Sequence, residues 1–390
     1  MKLFKSLLIA PATLGLLVPI SATANELNLA EVSGYSSSEE VQNISEFYPK
    51  ELAVTNSRGD ELDSRINYFE AGGFSETTTA SFSADFYLGG VDGGTTATDD
   101  PFMATYGFQI DLNTSFTGED SLDVSLAAGN STASTTSVTE FDGNATGNTL
   151  EVDGISYTFP VAGATVFVGD NGDASALFTT ACSYGAATDT LSDCGNVNAG
   201  PSDGGVATGV SYDFGNGFST AIGYQATDGE EDQGIMTKES TDSYAFNAAY
   251  TGDNYGVSIT YSSIEDGQTA EKEDTYTAFN GYFTPNSESL PSLSVGYEIG
   301  DDASASSTTD EITSFFVGLQ WDEVGPGSAG FALGHSNTAE GSDEEYMYEA
   351  FYSYPVNDGI TITPVVFIKE SATAGQDDSQ GLLVKTSFSF

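Results

Sequence analysis

The chain has 390 residues, and its 58 Asp and Glu against 9 Lys and Arg give a formal net charge of −49 at pH 7. A chain this acidic has no basic patch to meet phosphates, so nucleic acid is excluded as a partner. Dense carboxylates are typical of a solvated surface in salty water, and the same field favours cations over anions.

The first 24 residues have the pattern of a secretory signal. Two lysines precede the apolar run "LLIAPATLGLLVPI", and a small-x-small cleavage site follows at Ala22 to Ala24. We therefore expect 1–24 to be removed and the remainder to be exported. A membrane anchor is the alternative, but two prolines interrupt the run and it is short for a span.

Residues 25–73 are predicted to form a polar tether that ends in a short amphipathic helix. The segment 25–57 is rich in Ser and Glu, and Leu62, Ile66 and Phe69 then follow at helical spacing. A helix of about three turns is marginal alone, so we expect it to pack on a neighbouring surface or a pore mouth.

From Phe74 onward the hydrophobic period is two. The stretches "FSADFYL", "YGFQIDL", "YAFNAAY", "YGVSITY" and "LSVGYEI" all alternate large apolar residues with small or polar ones. A one-sided soluble sandwich shows the same alternation. Here, however, short connections such as "DFGNGF" and "YPVNDG" alternate with long acidic ones such as "TDGEEDQGIMTKES". One short rim and one long rim are typical of a transmembrane barrel.

The sequence therefore predicts an all-β fold, a transmembrane antiparallel β-barrel of about sixteen strands over 74–390. Tyr and Phe at the segment ends would form the interfacial aromatic girdle. The stretch 129–169 could hold two strands or three.

The chain ends on "GLLVKTSFSF", whose alternate residues place an unbroken apolar face up to the last position. A strand that closes a barrel in lipid keeps its order to its end, because every backbone group there must be paired. Phe388 and Phe390 are predicted to be the C-terminal barrel signal, with the barrel-assembly machinery as a partner.

If the apolar face meets outer-membrane lipid, the polar face lines a lumen wide enough for water. The predicted pore-lining residues are Asp85, Gln109, Asp111, Asp123, Asn247, Glu298, Gln320, Glu349 and Lys385. A lumen biased to carboxylates passes cations more readily than anions. Lys385 is the single cation on this face in this register, and we expect it to pair with a neighbouring carboxylate.

The longest connection, 170–204, contains Cys182 and Cys194. In an exported chain such a pair predicts a disulfide, worth about 3 kcal/mol for so short a loop. A metal pair is the alternative, but it would need further Cys or His ligands. Because the cross-link favours order, we expect this connection to fold into or over the lumen and to set its narrowest radius. Its predicted charged contacts are Asp170, Asp173, Asp189 and Asp193.

No group of residues predicts catalysis, a cofactor or a metal centre. His335 is the only histidine and is expected to be a plain surface residue near the outer rim. A Ser-His hydrolase would need a third group to orient the imidazole, and no such partner is apparent.

Several stretches carry a resemblance to a known family: "ELDSRINYFEAGGFSETTT", "LNTSFTGEDSL", "ISYTFPVAGATVFVG", "YSYPVNDGITITP" and "LLVKTSFSF". Through them, the chain resembles the outer-membrane porins of marine picocyanobacteria over about 60–390. These belong with the carbohydrate-selective (OprB-type) porins and are also labelled iron-uptake porins. The resemblance implies a sixteen-stranded barrel, a homotrimer and passive passage of small hydrophilic solutes. Most cyanobacterial members also carry a surface-layer-homology domain that tethers them to the cell wall, and this chain departs from them in lacking it.

The sequence thus predicts an outer-membrane porin with an acidic lumen that disfavours anions. A pore tuned to sugars and a pore tuned to iron or other cations both stay open within transport. An acidic surface-shielding barrel without a transport role and a secreted soluble β-protein are the hypotheses outside it.

Overall fold

The computed structural model describes residues 77–93, 102–131, 140, 143–202, 204–232, 234–237, 240–265, 273–287, 289–301, 311–371 and 375–390. The chain divides into two units, 1–67 and 68–390, and all described residues belong to the second. The predicted signal, tether and short helix lie outside the described residues.

Alternating hydrophobicity produces sixteen strands. They are β1 (Thr78–Asp92), β2 (Met103–Thr114), β3 (Ser121–Gly129), β4 (Glu151–Val161), β5 (Ala164–Asp170), β6 (Val206–Gly215), β7 (Phe218–Ala226), β8 (Asp242–Thr251), β9 (Tyr255–Glu265), β10 (Glu273–Phe283), β11 (Ser292–Asp301), β12 (Glu311–Val324), β13 (Gly327–Ala339), β14 (Met347–Asn357), β15 (Ile360–Lys369) and β16 (Ser379–Ser389).

Each strand pairs antiparallel with its neighbours in sequence, and β1 pairs with β16 to close the barrel. The prediction of an all-β barrel of about sixteen strands is confirmed. The described residues of the ambiguous stretch 129–169 contribute two strands, β4 and β5, after the end of β3. In the described part of the chain, no helix is long and apolar enough to cross a membrane.

The connections form two unequal rims. Short turns at 162–163, 216–217 and 358–359 lie on one rim, where β1 also begins and β16 ends. Longer connections such as 171–205 and 227–241 lie on the other. At the short rim Asn216 and Gly217 have φ of 56° and 85°. Positive φ at both central residues gives the twist that a two-residue hairpin requires.

The outer face of the barrel carries the large apolar side chains. On β8, for example, Phe246 is 42% exposed, whereas its neighbours Ala245 and Asn247 are 4% and 1% exposed. Aromatic rings pair across the strands beside the short rim, with Phe218 and Tyr250 at 4.8 Å between centroids. An apolar band edged by aromatic rings is the surface that a barrel presents to lipid.

The main apolar core lies inside the barrel, between the inner wall and the connection 171–205. An apolar core at this place was not expected, because the sequence pattern predicts an inner face of small or polar residues. Strands β1 and β12 to β16 contribute inward apolar side chains, and the connection packs three of its own against them. The cluster consists of Tyr87, Val91, Phe316, Ala332, Met347, Val365, Phe367 and Leu383 from the wall, with Tyr184, Leu191 and Cys194 from the connection.

Candidate channel constriction

The connection 171–205, called the constriction loop below, is bound to the inner wall of the barrel. Backbone N–H groups at every second residue of its first arm donate to polar side chains on β8, β9 and β11. These hydrogen bonds join Thr179 to Asn247 at 3.0 Å, Ala181 to Ser258 at 2.9 Å and Ser183 to Ser294 at 2.9 Å. In an extended segment alternate N–H groups point to the same side, so the first arm runs across the inner wall from β8 to β11.

The tip of the loop, residues 185–192, is held by Glu349 of β14. Oε2 accepts a hydrogen bond from the Thr188 hydroxyl at 2.5 Å, and Oε1 accepts one from the Ala187 N–H at 3.2 Å. Glu349 is 1% exposed. A carboxylate buried to this extent is stable only when its oxygens are hydrogen-bonded. The loop therefore supplies the donors that Glu349 requires, and Glu349 in turn fixes the tip of the loop.

The returning arm is held by a second buried carboxylate, Glu298 of β11. Its Oε2 accepts hydrogen bonds from the backbone N–H groups of Asn198 and Ala199, both at 2.8 Å. Its Oε1 accepts one from the Asn198 side chain, also at 2.8 Å. The tip and the returning arm are thus each fixed by one buried glutamate.

Two glycines on the inner wall allow the loop backbone to lie directly on the sheet. A Cβ at Gly223 would meet the carbonyl oxygen of Ala174, and one at Gly296 would meet that of Cys194. The side-chain amide of Asn280 also donates to this Cys194 carbonyl at 2.8 Å. Any larger residue at Gly296 would therefore displace the returning arm.

A disulfide joins the two arms between Cys182 and Cys194. Both cysteines lie against the inner apolar cluster, and Cys194 is 4% exposed. The bond closes the segment 182–194, which contains the whole tip.

An open recess of about 310 Å³ remains between the tip and the opposite wall. It is bounded by β1, β2 and β16 on one side and by the tip and Glu140 on the other. Its polar and charged lining consists of Ser83, Asp85, Tyr87, Gln109, Glu140, Asn144, Thr188, Asp189, Ser192 and Lys385.

Within the recess, Lys385 of β16 forms an ion pair with Asp85 of β1 at 3.3 Å. Its ammonium group also lies 5.6 Å from the centre of the Tyr87 ring. Lys385 thus has a carboxylate partner, as expected. A second lysine on the inner face, Lys369, was not anticipated, and it pairs with Glu140 at 3.2 Å.

Below the recess, toward the short-turn rim, Asp111 and Asp123 contact neutral partners. Oδ1 of Asp111 accepts hydrogen bonds from the Gln109 amide at 2.8 Å and the Ser125 hydroxyl at 2.7 Å. Asp123 accepts one from Asn113 at 2.6 Å. These carboxylates carry their charge on the wall that the loop leaves uncovered.

The nine predicted pore-lining residues therefore fall into two groups. Those beneath the loop hold it and form the covered group: Asn247, Glu298, Gln320 and Glu349. Those on the uncovered wall form the open group: Asp85, Gln109, Asp111, Asp123 and Lys385.

The four predicted loop aspartates are not equivalent. Asp189 lines the recess. Asp170 is the last residue of β5 and accepts a hydrogen bond from the Asn171 N–H at 3.0 Å. The carbonyl groups of Asp173 and Asp193 accept the N–H groups of Ala176 and Asn196 at 3.2 and 3.0 Å. These two residues shape local turns in the loop.

His335 is buried, and the expectation of a plain surface residue is wrong. It is 7% exposed and lies between the rings of Phe315 and Tyr346, at 6.3 and 5.3 Å between centroids. Its Nδ1 is 2.9 Å from the Thr338 hydroxyl. Packing against aromatic neighbours explains the burial. In the described part of the chain, no cluster of His, Cys, Asp and Glu is arranged to hold a metal ion.

A closed sixteen-stranded barrel with a loop bound inside it has the fold of the outer-membrane porins. Among solved structures the chain is similar to OprB of Pseudomonas putida, with a TM-score of 0.60 and 13% identity over 85% of this chain and 97% of that one. It is also similar to a variant of the Rh. blastica porin, with a TM-score of 0.53 and 14% identity over 80% and 100% of the two chains. At these identities the likeness shows the fold.

In sequence, the chain is 25% identical to an uncharacterized protein of Nostoc sp. (strain PCC 7120), over 90% of this chain and 72% of that protein. No family model matches the chain.

Proposed function

We propose that the chain is an outer-membrane porin of the carbohydrate-selective type, a passive diffusion channel for small hydrophilic solutes. The observation that carries the proposal is the constriction loop, bound inside a closed barrel so that a polar recess remains beside it. A loop so placed narrows a channel without blocking it. The role is transport, with no catalysis and no cofactor.

The charges beside the recess support a channel that disfavours anions. Among the described residues, both inner-face lysines are in ion pairs, Lys385 with Asp85 and Lys369 with Glu140. Asp111 and Asp123 instead accept hydrogen bonds from uncharged groups, so their negative charges are not cancelled by those contacts. Lumenal carboxylates in excess over cations favour cation passage.

We assign the pore-lining role to the open group and the loop-holding role to the covered group. The constriction is then set by the tip of the loop with Asp189, facing Asp85 and Gln109 on the wall. The apolar outer face and the barrel-closing C-terminus support insertion in the outer membrane by the barrel-assembly machinery. We also propose that three copies of the chain assemble as a homotrimer.

A cation-tuned uptake pore, including one for iron, is the second candidate. The uncovered carboxylates of Asp111 and Asp123 favour it, because they would concentrate cations along one wall. A barrel that only shields the surface would carry the same charge but would conduct no ions.

Planar-bilayer recordings of the purified chain in a salt gradient test the proposal. We expect stepwise conductance and a reversal potential that favours cations. Asp111→Asn should reduce this preference, whereas Glu119→Gln, which removes an exposed carboxylate from the turn between β2 and β3 and does not hold the loop, should affect it less. Folded protein without channels would overturn the porin proposal, and a preference for anions would overturn the assignment of the lumen. Liposome swelling with sugars would then distinguish a general pore from a cation-tuned one.

A further inference from the structure

Glu140, from the connection between β3 and β4, reaches the tip of the constriction loop. Its backbone carbonyl accepts a hydrogen bond from the Asp189 N–H at 2.9 Å. Its carboxylate accepts two from Thr190, from the hydroxyl at 3.0 Å and from the N–H at 3.3 Å. Glu140 is 7% exposed, so two separate connections meet here in a largely buried contact.

Lys369, the last residue of β15, completes this contact from the barrel wall. It shares the inner face with Val365 and Phe367 of the apolar cluster. Its Nζ donates to Oε1 of Glu140 at 3.2 Å and to the Thr190 hydroxyl at 3.1 Å. The Thr190 hydroxyl therefore accepts from the lysine and donates to the glutamate, which links all three groups in one network.

The network lies at the edge of the recess. Glu140 and Asp189 both line it, opposite Asp85 and Lys385. The hydrogen bonds of Glu349 hold the tip up to Thr188, and the Glu140 network holds the next two residues. Asp189 lies between Thr188, which is bound to Glu349, and Thr190, which is bound to Glu140, so its position depends on both glutamates.

We propose that Lys369 is a positioning residue that latches the tip of the constriction loop to Glu140. The narrowest part of the channel is then formed by two connections and one strand. This inference rests on the proposed channel function and adds to it the element that fixes the size of the opening. Because the latch contains hydrogen bonds to charged groups, it is stronger than the neutral bonds along the first arm.

Single-channel recordings of the full chain test the latch. Lys369→Met should raise open-channel current fluctuations and mean conductance, since the tip is released roughly tenfold more often when hydrogen bonds to a charged group are lost. Thr190→Val removes hydrogen bonds without a change of charge, and it should raise fluctuations with the reversal potential unchanged. Lys369→Arg should restore quiet channels.

Lys385→Met is the matched control, because this lysine pairs with Asp85 on the wall and not with the loop. It should shift the reversal potential toward cations without added fluctuations. Quiet wild-type channels with noisy Lys369→Met and Thr190→Val channels support the latch. Quiet channels in both variants overturn it while the porin proposal stands, and a wild-type chain without channels overturns the porin proposal itself.

Discussion

The Tyr184 hydroxyl donates a 2.6 Å hydrogen bond to Oε1 of Glu349, which joins the constriction loop to a strand 165 residues later in the chain. Neither ion pair of the described part of the chain involves Glu349. The oxygens of this buried carboxyl group therefore accept hydrogen bonds from the loop, and the loop gains a rigid anchor in return. A buried carboxyl group without hydrogen-bond partners would be costly, so the contact couples the position of the loop to the folding of β14.

Glu349→Gln should loosen the loop. The substituted amide retains one acceptor oxygen but places an NH2 group against a hydroxyl or N–H donor, at a cost of about 1–3 kcal/mol. We expect faster proteolysis within 171–205 of the folded protein. Ser294→Ala is the control. It removes neutral hydrogen bonds to Ser183 of the first arm and should increase the rate of proteolysis less. Equal cleavage rates for the two variants would contradict an anchoring role for Glu349.

Reduction of the Cys182–Cys194 disulfide should change the conductance of the channel. The bridge closes the segment that contains the tip, and in the entropic model a cross-link across so short a loop contributes about 3 kcal/mol. Currents recorded with and without a reductant measure the effect, and thiol labelling verifies that reduction occurred. The double variant Cys182→Ser, Cys194→Ser is the control, because its currents should not respond to the reductant. Unchanged wild-type currents after complete reduction would show that the hydrogen bonds to the wall hold the tip in place without the disulfide.

The hydrophobic period of two predicted the fold, because the side chains of each strand of such a barrel point alternately to lipid and to the interior. The same period placed Glu298 and Glu349 on the inner face, but it carries no information on what covers that face. The path of the constriction loop depends on contacts such as that of Lys369 with Glu140, 229 residues apart. Likewise, Gly296 indicates close backbone approach only once Cys194 is known to lie against it. The path of the loop and the close approach at Gly296 depend on long-range packing, which the local sequence pattern does not encode.

The turn that joins β2 and β3 should weaken in acid through Asp120. The Tyr157 hydroxyl donates to Asp120 Oδ2 at 2.6 Å, and the Thr117 N–H donates to Oδ1 at 2.7 Å. These hydrogen bonds, that of Tyr157 first, hold the pKa of Asp120 well below its ordinary value of 3.8, although burial opposes them. A depressed carboxyl pKa contributes stability above the unfolded pKa, and this contribution is lost as the pH falls through the folded pKa.

Asp120→Asn should therefore lower the denaturant midpoint of the barrel in detergent at pH 7. The difference from the wild type should shrink as the pH falls below about 4, where the unfolded carboxyl becomes protonated. Glu119→Gln, an exposed acid in the same turn, should leave the midpoint unchanged. A difference between Asp120→Asn and wild type that stays constant from pH 7 into the acid range would contradict the role of the ionised carboxylate.

The last residue of the chain takes part in the closure of the barrel. Phe390 and Phe82 exchange two backbone hydrogen bonds, each at 3.0 Å, and their rings stack at 5.8 Å with 4° between planes. Phe390 is 76% exposed. The antiparallel hydrogen bonding of β16 with β1 therefore extends to Phe390, which lies at the seam of the barrel.

Removal of Phe390 should impair folding more than Phe390→Ala. The deletion eliminates two backbone hydrogen bonds at the seam, while the substitution removes only the aromatic pair, worth about 0.5–1.5 kcal/mol. The yield of folded barrel, measured by the heat-modifiable gel mobility of protein refolded into micelles, should decrease in that order. Phe116→Ala is the matched control, since Phe116 is 66% exposed and its ring contacts Tyr157 away from the seam. If the deletion refolds as completely as this control, closure of the barrel does not depend on Phe390.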